Sequence, residues 1–231
     1  MGIIIIIKFS RKVIIINIIL LIFTIFIWGK EVHRESYYIG EHNKQVVLNI
    51  KLGIIIFIIS ECFFFLRIFW TFINSIQRFF SLRSINYSLS LIISEPWELP
   101  LLNTLILISS GFAATISIIY KIQTNLKESL NWITIRILIG VIFSIIQIIE
   151  YYECESDFSY SSYSSIYFIG TRFHGLHVII GLILLIICLK RIKNIFIRRK
   201  HITLIICRIW YWHFVDVVWI ILYVIFYWWI Y

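Results

Sequence analysis

The chain has 231 residues, of which 61% are hydrophobic and only 14% are charged, and its mean hydropathy is +0.93. Soluble domains carry about 25% charged residues, so this composition excludes a water-soluble domain and indicates an integral membrane protein. The net charge of +9 would suit a nucleic-acid partner, but the basic residues fall mostly between apolar runs, as they do in membrane loops. The charge pattern therefore argues against nucleic-acid binding.

Six apolar runs follow one another along the chain. A helix of about 20 apolar residues crosses the hydrocarbon core of a bilayer, so the runs predict an all-α integral membrane protein with six transmembrane helices. We interpret residues 1–231 as a single membrane domain, since no connection resembles a soluble domain. The predicted helices lie at about 13–28, 46–73, 101–120, 132–152, 165–189 and 204–231.

The second, third and fourth runs carry polar or small residues. Glu61 lies inside the second run. In the third, small residues between positions 109 and 114 favour close approach of another helix. In the fourth, Gln147 and Glu150 lie along one side with Arg136. Polar groups within a membrane span normally face protein, so we expect Gln147 and Glu150 to take part in packing between helices.

The fifth run has two histidines one turn apart, His174 and His177, which share a face with Gly170 and Gly181. Glycines let another helix approach while the imidazoles find partners. A haem would need a ligand from each side of the porphyrin, for which His174 would require His213, and three histidines with an aspartate would in principle hold copper or iron. Buried intramembrane histidine is more often hydrogen-bonded to protein, and we favour that interpretation.

The sixth run opens with the ten residues WYWHFVDVVW at 210–219. At helical spacing, His213 and Asp216 share one face with Ile220, Tyr223 and Tyr227, and we expect this face to point into protein. A carboxylate inside a membrane span costs several kcal/mol unless it is paired. We favour a His213–Asp216 hydrogen bond that fixes the helix to its neighbours, with a proton or ligand site as the alternative.

Orientation follows from the Lys and Arg count of alternate loops. The links on one side hold eleven basic residues: Lys30, Arg34, Lys44, Lys121, Lys127, Lys190, Arg191, Lys193, Arg198, Arg199 and Lys200. The opposite side holds five: Lys8, Arg11, Lys12, Arg78 and Arg83. By the positive-inside rule, the 190–203 loop lies inside and both termini lie outside.

Six motifs follow one another along the chain: Arg34-Glu35-Ser36 with Gly40 and His42, SECFFF (60–65), LPLLNT (99–104), Gln147-x-x-Glu150-Tyr151-x-Glu153, FHGLHVIIG (173–181) and WYWHFVDVVW with the later YWW (227–229). Together they resemble subunit III of the mitochondrial haem–copper cytochrome c oxidase, and they keep the order of the family. The resemblance runs from position 28 to position 231.

The resemblance implies a core subunit without redox centres in the mitochondrial inner membrane, with both termini on the intermembrane-space side. It would steady the catalytic subunit I, which carries the haem and copper, and would support proton uptake during electron transfer from cytochrome c to oxygen. This chain itself would bind no metal or cofactor. Its Glu61 matches a reactive intramembrane carboxylate, which apolar surroundings would keep protonated.

The resemblance also implies structural phospholipids, held at the matrix edge by charged residues. Arg and His at a membrane boundary suit phosphate, and a Trp suits the level between acyl chains and head groups. The expected lipid-binding residues are Trp28, Arg34, Glu35, His42 and Arg191.

Two departures and two alternatives accompany this interpretation. The family has seven helices, so we expect its fold without the first helix. Arg67, Arg172 and Arg208 stand where small residues are expected. The alternatives are a small multi-helix transporter, against which the polar stripes lack a repeated counterpart, and a haem-binding quinone-oxidising anchor.

Overall fold

A computed structural model describes residues 2–35, 43–82, 95–123, 125–154, 158, 162–194 and 202–229. It contains six α-helices: α1 Gly2–Arg34, α2 Lys44–Leu82, α3 Leu99–Ile122, α4 Leu126–Glu153, α5 Ser162–Asn194 and α6 Ile202–Leu222, which continues as a π-helix over Tyr223–Trp228. Each α-helix holds a stretch long and apolar enough to cross a membrane, and the described residues contain no strand. The predicted all-α membrane fold with six spans is confirmed.

The helices extend beyond the predicted limits at most ends. Hydropathy marks only the part of a helix that lipid surrounds, whereas backbone hydrogen bonding continues into the polar flanks. α4 begins at Leu126, six positions before the predicted start at 132, because Asn125 caps it: its side-chain oxygen accepts a hydrogen bond from the Glu128 backbone N–H at 3.4 Å. α1, with 33 residues, is about 50 Å long and exceeds the roughly 30 Å hydrocarbon core.

The chain divides into two compact units, residues 1–52 and 53–231. The first unit contains α1 and the beginning of α2. Residues 13–31 of α1 are all exposed, including Phe26 and Trp28, each 69% exposed. Lipid is a favourable environment for such an apolar surface, so this exposure agrees with a membrane span.

The second unit is built around Trp212 of α6, which is fully buried. Gly140 of α4 and Gly181 of α5 form a slot for its indole: an added Cβ would lie 2.9 Å from Trp212 at Gly140 and 2.7 Å from it at Gly181. Ser110 of α3 accepts a hydrogen bond from the indole N–H at 2.9 Å. Three helices therefore converge on one side chain of the fourth.

The π-helix places two further aromatic side chains in the core. Phe226 and Tyr227 are 0% and 2% exposed. Phe226 packs against Phe72 of α2, with ring centroids 4.2 Å apart, and Gly170 of α5 leaves it room, since an added Cβ there would lie 2.7 Å from the Phe226 ring. Short π segments inside α-helices often occur at functional sites.

Candidate functional site

Glu61, His177 and Tyr211 form one polar cluster, here named the Glu61 cluster, where α2, α5 and α6 meet. The Glu61 Oε2 atom lies 3.3 Å from His177 Nε2, and His177 Nδ1 is hydrogen-bonded to the Tyr211 hydroxyl at 2.8 Å. Phe65 and Phe214 enclose the imidazole, with ring centroids 5.5 and 6.2 Å away. Aromatic rings thus flank the imidazole of a cluster whose three members can each exchange a proton.

The Glu61 cluster leads from the surface of the helix bundle into its interior. The Glu61 side chain is 23% exposed and that of His177 is 8% exposed, while the Tyr211 residue is 5% exposed. A proton taken up by the carboxylate would reach the imidazole directly. This arrangement suits proton exchange better than a purely apolar contact does.

Glu150 is the centre of a second cluster, the Glu150 cluster, which joins α4, α5 and the π-helix. Its Oε1 atom accepts hydrogen bonds from the hydroxyls of Tyr227 at 2.7 Å and Tyr167 at 3.1 Å, and its Oε2 atom accepts one from Gln147 Nε2 at 3.0 Å. The two hydroxyls are also 2.9 Å apart. Because Glu150 is 0% exposed, these bonds replace the hydrogen bonds that water would otherwise make to the carboxylate. They also join α4, α5 and the π-helix.

The His174 imidazole is fully enclosed. Its Nε2 atom lies 3.3 Å from the Val215 carbonyl oxygen. The rings of Trp219 and Phe143 pack against it at centroid distances of 5.0 and 5.8 Å. Among the described residues, no three His, Cys, Asp or Glu side chains converge as metal ligands.

His213 and Asp216 are close, but they do not form the predicted hydrogen bond. His213 Nδ1 is 3.7 Å from Asp216 Oδ2, beyond hydrogen-bond distance, and the His213 side chain is 41% exposed. The expectation that their face points into protein is only half met, because Asp216 and Tyr227 are buried whereas Ile220 is 41% exposed. The fully buried face of α6 instead carries Val215 together with aromatic residues, and these side chains fill the core.

Three of the predicted lipid-binding residues lie at the end of α1 or just after it. Trp28, Arg34 and Glu35 are exposed, and Arg34 lies 3.7 Å from Glu31. His42 lies outside the described residues. Arg191 belongs to α5, and its side chain is also outside the described part of the chain.

The unexpected arginines find different surroundings. Arg67 is exposed and borders an apolar groove of about 330 Å³ between α2 and α5. Arg172 lies over the rings of Phe168 and Phe158, 5.3 and 5.9 Å from their centroids, so its guanidinium makes cation–π interactions with both rings. Arg208 is half-buried.

Sequence reasoning missed several members of these clusters. It placed Gln147 and Glu150 on one side of α4, but it did not connect Glu61 with His177, nor Tyr167 with Glu150. The available signal was the tyrosine content of the buried faces, since a buried phenol needs a hydrogen-bond partner. Periodicity cannot show which helix provides that partner.

Comparisons with known proteins decide the family. A family model described as "Cytochrome c oxidase subunit III" matches residues 1–231. The chain is 39% identical over 215 residues to cytochrome c oxidase subunit 3 of Triticum aestivum, covering 93% of this chain and 81% of that protein. The chain belongs to the cytochrome c oxidase subunit III family.

Animal relatives agree with this assignment. Cytochrome c oxidase subunit 3 of Latimeria chalumnae is 38% identical over 221 residues, covering 95% of this chain and 85% of that protein. The Drosophila melanogaster protein of the same name is 35% identical over 223 residues, covering 96% and 85%. The chain is thus a multi-pass membrane subunit of the cytochrome c oxidase complex, and the transporter and haem-anchor alternatives have no support.

Proposed function

We propose that the chain is a non-redox core subunit of the oxidase that packs on the catalytic subunit I, while the haem and copper lie in partner subunits. The burial of His174 carries this proposal, because its Nε2 atom lies 3.3 Å from the Val215 carbonyl oxygen and two aromatic rings pack against the imidazole. His177 is likewise engaged by Glu61 and Tyr211. The intramembrane polar residues, including Gln147, Glu150, His213 and Asp216, act in packing between helices.

Within that role, the Glu61 cluster supports proton uptake by the oxidase. Its support is a carboxylate at the bundle surface, 3.3 Å from an imidazole that continues to a phenol. The imidazole is nearly enclosed, so its nearest partners for proton exchange are Glu61 and Tyr211. A proton stored there is available to the complex during turnover.

Infrared spectroscopy and proton-uptake measurements on the purified oxidase test this role. Glu61→Gln removes the acid and keeps the shape, so we expect slower proton uptake and loss of the infrared carboxyl bands that belong to Glu61. Glu98→Gln is the matched control, because it makes the same change at an exposed residue without a side-chain cap bond. Unchanged proton uptake in Glu61→Gln would contradict the proposal.

Phospholipid binding at the end of α1 is a second part of the role. Trp28 is exposed there, and Arg34 is engaged only by Glu31 among the described residues, at 3.7 Å with both side chains at least half exposed. An exposed pair contributes at most about 1 kcal/mol, so the guanidinium can turn to a lipid phosphate at little cost. Glu35, His42 and, separately, Arg191 at the end of α5 complete the proposed lipid contacts.

Native mass spectrometry of the detergent-purified oxidase tests the lipid contact. Arg34→Gln should lower the number of phospholipids retained with the chain, because one juxtamembrane cation contributes about 1 kcal/mol towards an anionic lipid. Lys30→Gln, an exposed cation one turn earlier on the same helix, is the control and should retain them. Equal lipid retention by Arg34→Gln and the wild type would exclude Arg34 as a lipid ligand.

The proposed location is the mitochondrial inner membrane, with both termini on the intermembrane-space side. Its support is the surplus of basic residues in the 29–45, 121–131 and 190–203 links, which the positive-inside rule places in the matrix.

A further inference from the structure

A groove of about 330 Å³ lies on the surface of the second unit, between α2 and α5. The large apolar side chains that line it are Phe64, Ile68, Ile166, Ile169 and Phe173. Among the described residues, Arg67 is the only charged side chain in the lining. A concave apolar surface with a single charged group beside it is the usual form of a site for an amphipathic ligand.

The groove has two distinct ends. At one end, Phe64 of α2 and Phe173 of α5 meet edge to face, with ring centroids 5.0 Å apart. Thr71 and Ile166 line the other end. The Thr71 hydroxyl donates a hydrogen bond to the Arg67 backbone carbonyl oxygen at 2.8 Å, so this hydroxyl is already satisfied. The walls therefore suit a hydrocarbon chain, and the Arg67 guanidinium is the polar group that remains for a ligand.

Arg67 is an exposed cation within an apolar run. None of the ion pairs in the described part of the chain includes it. A charge inside a membrane span is costly unless it reaches a partner or the interface. Arg67 lies six positions, about 9 Å along the helix, before Ile73, where the apolar run ends. Its long side chain can therefore extend towards the level of the lipid head groups.

The length of α5 separates this groove from the lipid contact proposed for Arg191. Ile166 lies near the beginning of α5, four positions after Ser162, whereas Arg191 lies near its end. The helix between Ile166 and Arg191 is about 38 Å long, which exceeds the roughly 30 Å of a hydrocarbon core. The groove therefore belongs to the leaflet opposite to that of Arg191, with its Thr71 end nearer to the head groups.

We propose that the groove binds one phospholipid of this leaflet, with its phosphate on Arg67 and one acyl chain lying along the groove towards Phe64 and Phe173. A guanidinium presents a planar fork of donors that matches two phosphate oxygens. Phospholipid is also the anion that the bilayer itself supplies at this level. The site gives a ligand to Arg67, which stands where a small residue is expected.

Photolabelling of the purified, delipidated oxidase tests the site. The probe is a phosphatidylglycerol with a diazirine at the end of one acyl chain, and we expect it to label the peptides that contain Phe64 and Phe173. Arg67→Gln removes the charge and should lower this labelling about fivefold, the factor expected for one cation near an anionic lipid. Arg172→Gln is the matched control, because this exposed arginine lies over two aromatic rings instead, and it should leave the labelling unchanged.

A second variant keeps the test decisive if Arg67→Gln fails to assemble. Ile169→Trp retains the arginine but fills the groove, so it should also reduce the labelling at least about fivefold. Labelling equal to that of the wild type in either variant would overturn the proposal. So would a wild-type complex without label on these peptides, because another subunit would then cover the groove. A fatty acid with the same diazirine that labels as strongly as the phospholipid would overturn it too, since the phosphate would then have no role.

Discussion

Glu150 shows how one residue holds several elements together inside a membrane. Its carboxylate accepts hydrogen bonds from Tyr227, Tyr167 and Gln147 and is shielded from solvent. Hydrogen bonds to a charged or strongly polar buried group contribute more than ordinary ones, and removing a donor leaves acceptor capacity unsatisfied. The hydroxyl donors of the Glu150 cluster should therefore contribute strongly to the free energy of unfolding.

Replacing Tyr227 by Phe tests this statement. The change removes only the hydroxyl, which lies 2.7 Å from Glu150, and we expect the free energy of unfolding of the chain in the oxidase to fall by about 1.5–3 kcal/mol. The measurement is the urea midpoint for release of the chain from the purified complex. Tyr152→Phe is the control, because Tyr152 is 86% exposed, and equal midpoints for both variants would contradict the account.

Sequence reasoning found individual site residues more easily than their partners. Gln147 and Glu150 are three positions apart on one helix, so helical spacing predicts their proximity. Glu61 and His177 lie on different helices, and their contact depends on the packing of α2 against α5, which periodicity does not contain. Asp216 was recognised as a residue that needs a partner, but its sequence neighbour His213 lies 3.7 Å away, beyond hydrogen-bond distance.

At the scale of elements, glycines determine how closely the helices approach. Gly140 and Gly181 approach different atoms of the Trp212 indole, and the ring fits only because neither residue has a Cβ. The fifth run was predicted to use its glycines for close helix approach, and Gly170 and Gly181 both do so. This part of the packing was readable from the sequence, since small residues mark helix interfaces in membranes.

Gly181→Ala is the corresponding prediction. Its Cβ would lie 2.7 Å from Trp212, and because a buried indole has little room to shift, overpacking should cost about 1–3 kcal/mol in the free energy of unfolding. Thermal release of the chain from the complex, followed by native gel electrophoresis, measures the loss. Gly175→Ala should be nearly neutral, since an added Cβ at Gly175 meets no atom within 4 Å; equal destabilisation by both changes would show that the slot is not tight.

Helix limits and the π-helix were less predictable than helix number. Hydropathy places the six spans correctly but misses helix limits that depend on other groups; the start of α4, for example, is set by the Asn125 cap. The π-helix at Tyr223–Trp228 has no apolar signature, since the run is hydrophobic with either helix type. Its geometry depends on packing Phe226 and Tyr227 against other helices, which a single apolar run cannot show.

At the scale of the whole molecule, the orientation predicted from charge can be tested directly. The basic 190–203 link should face the matrix and the C-terminus the intermembrane space. In mitoplasts with an intact inner membrane, added protease should remove an epitope tag attached after Tyr231 but should spare one inserted at 197. The opposite cleavage pattern would reverse the orientation, and matrix aconitase activity protected from the protease controls for membrane integrity.

This chain is a subunit of cytochrome c oxidase, and we propose that it holds no redox centre of its own. The most direct measurement is purification of the chain through an affinity tag in mild detergent, with mass spectrometry and optical spectra of the product before and after the chain is released. We predict co-purification with the haem–copper subunits, and a haem spectrum that stays entirely with those subunits after release. A released chain that carries stoichiometric haem or copper, or a chain recovered without any other oxidase subunit, would contradict the account.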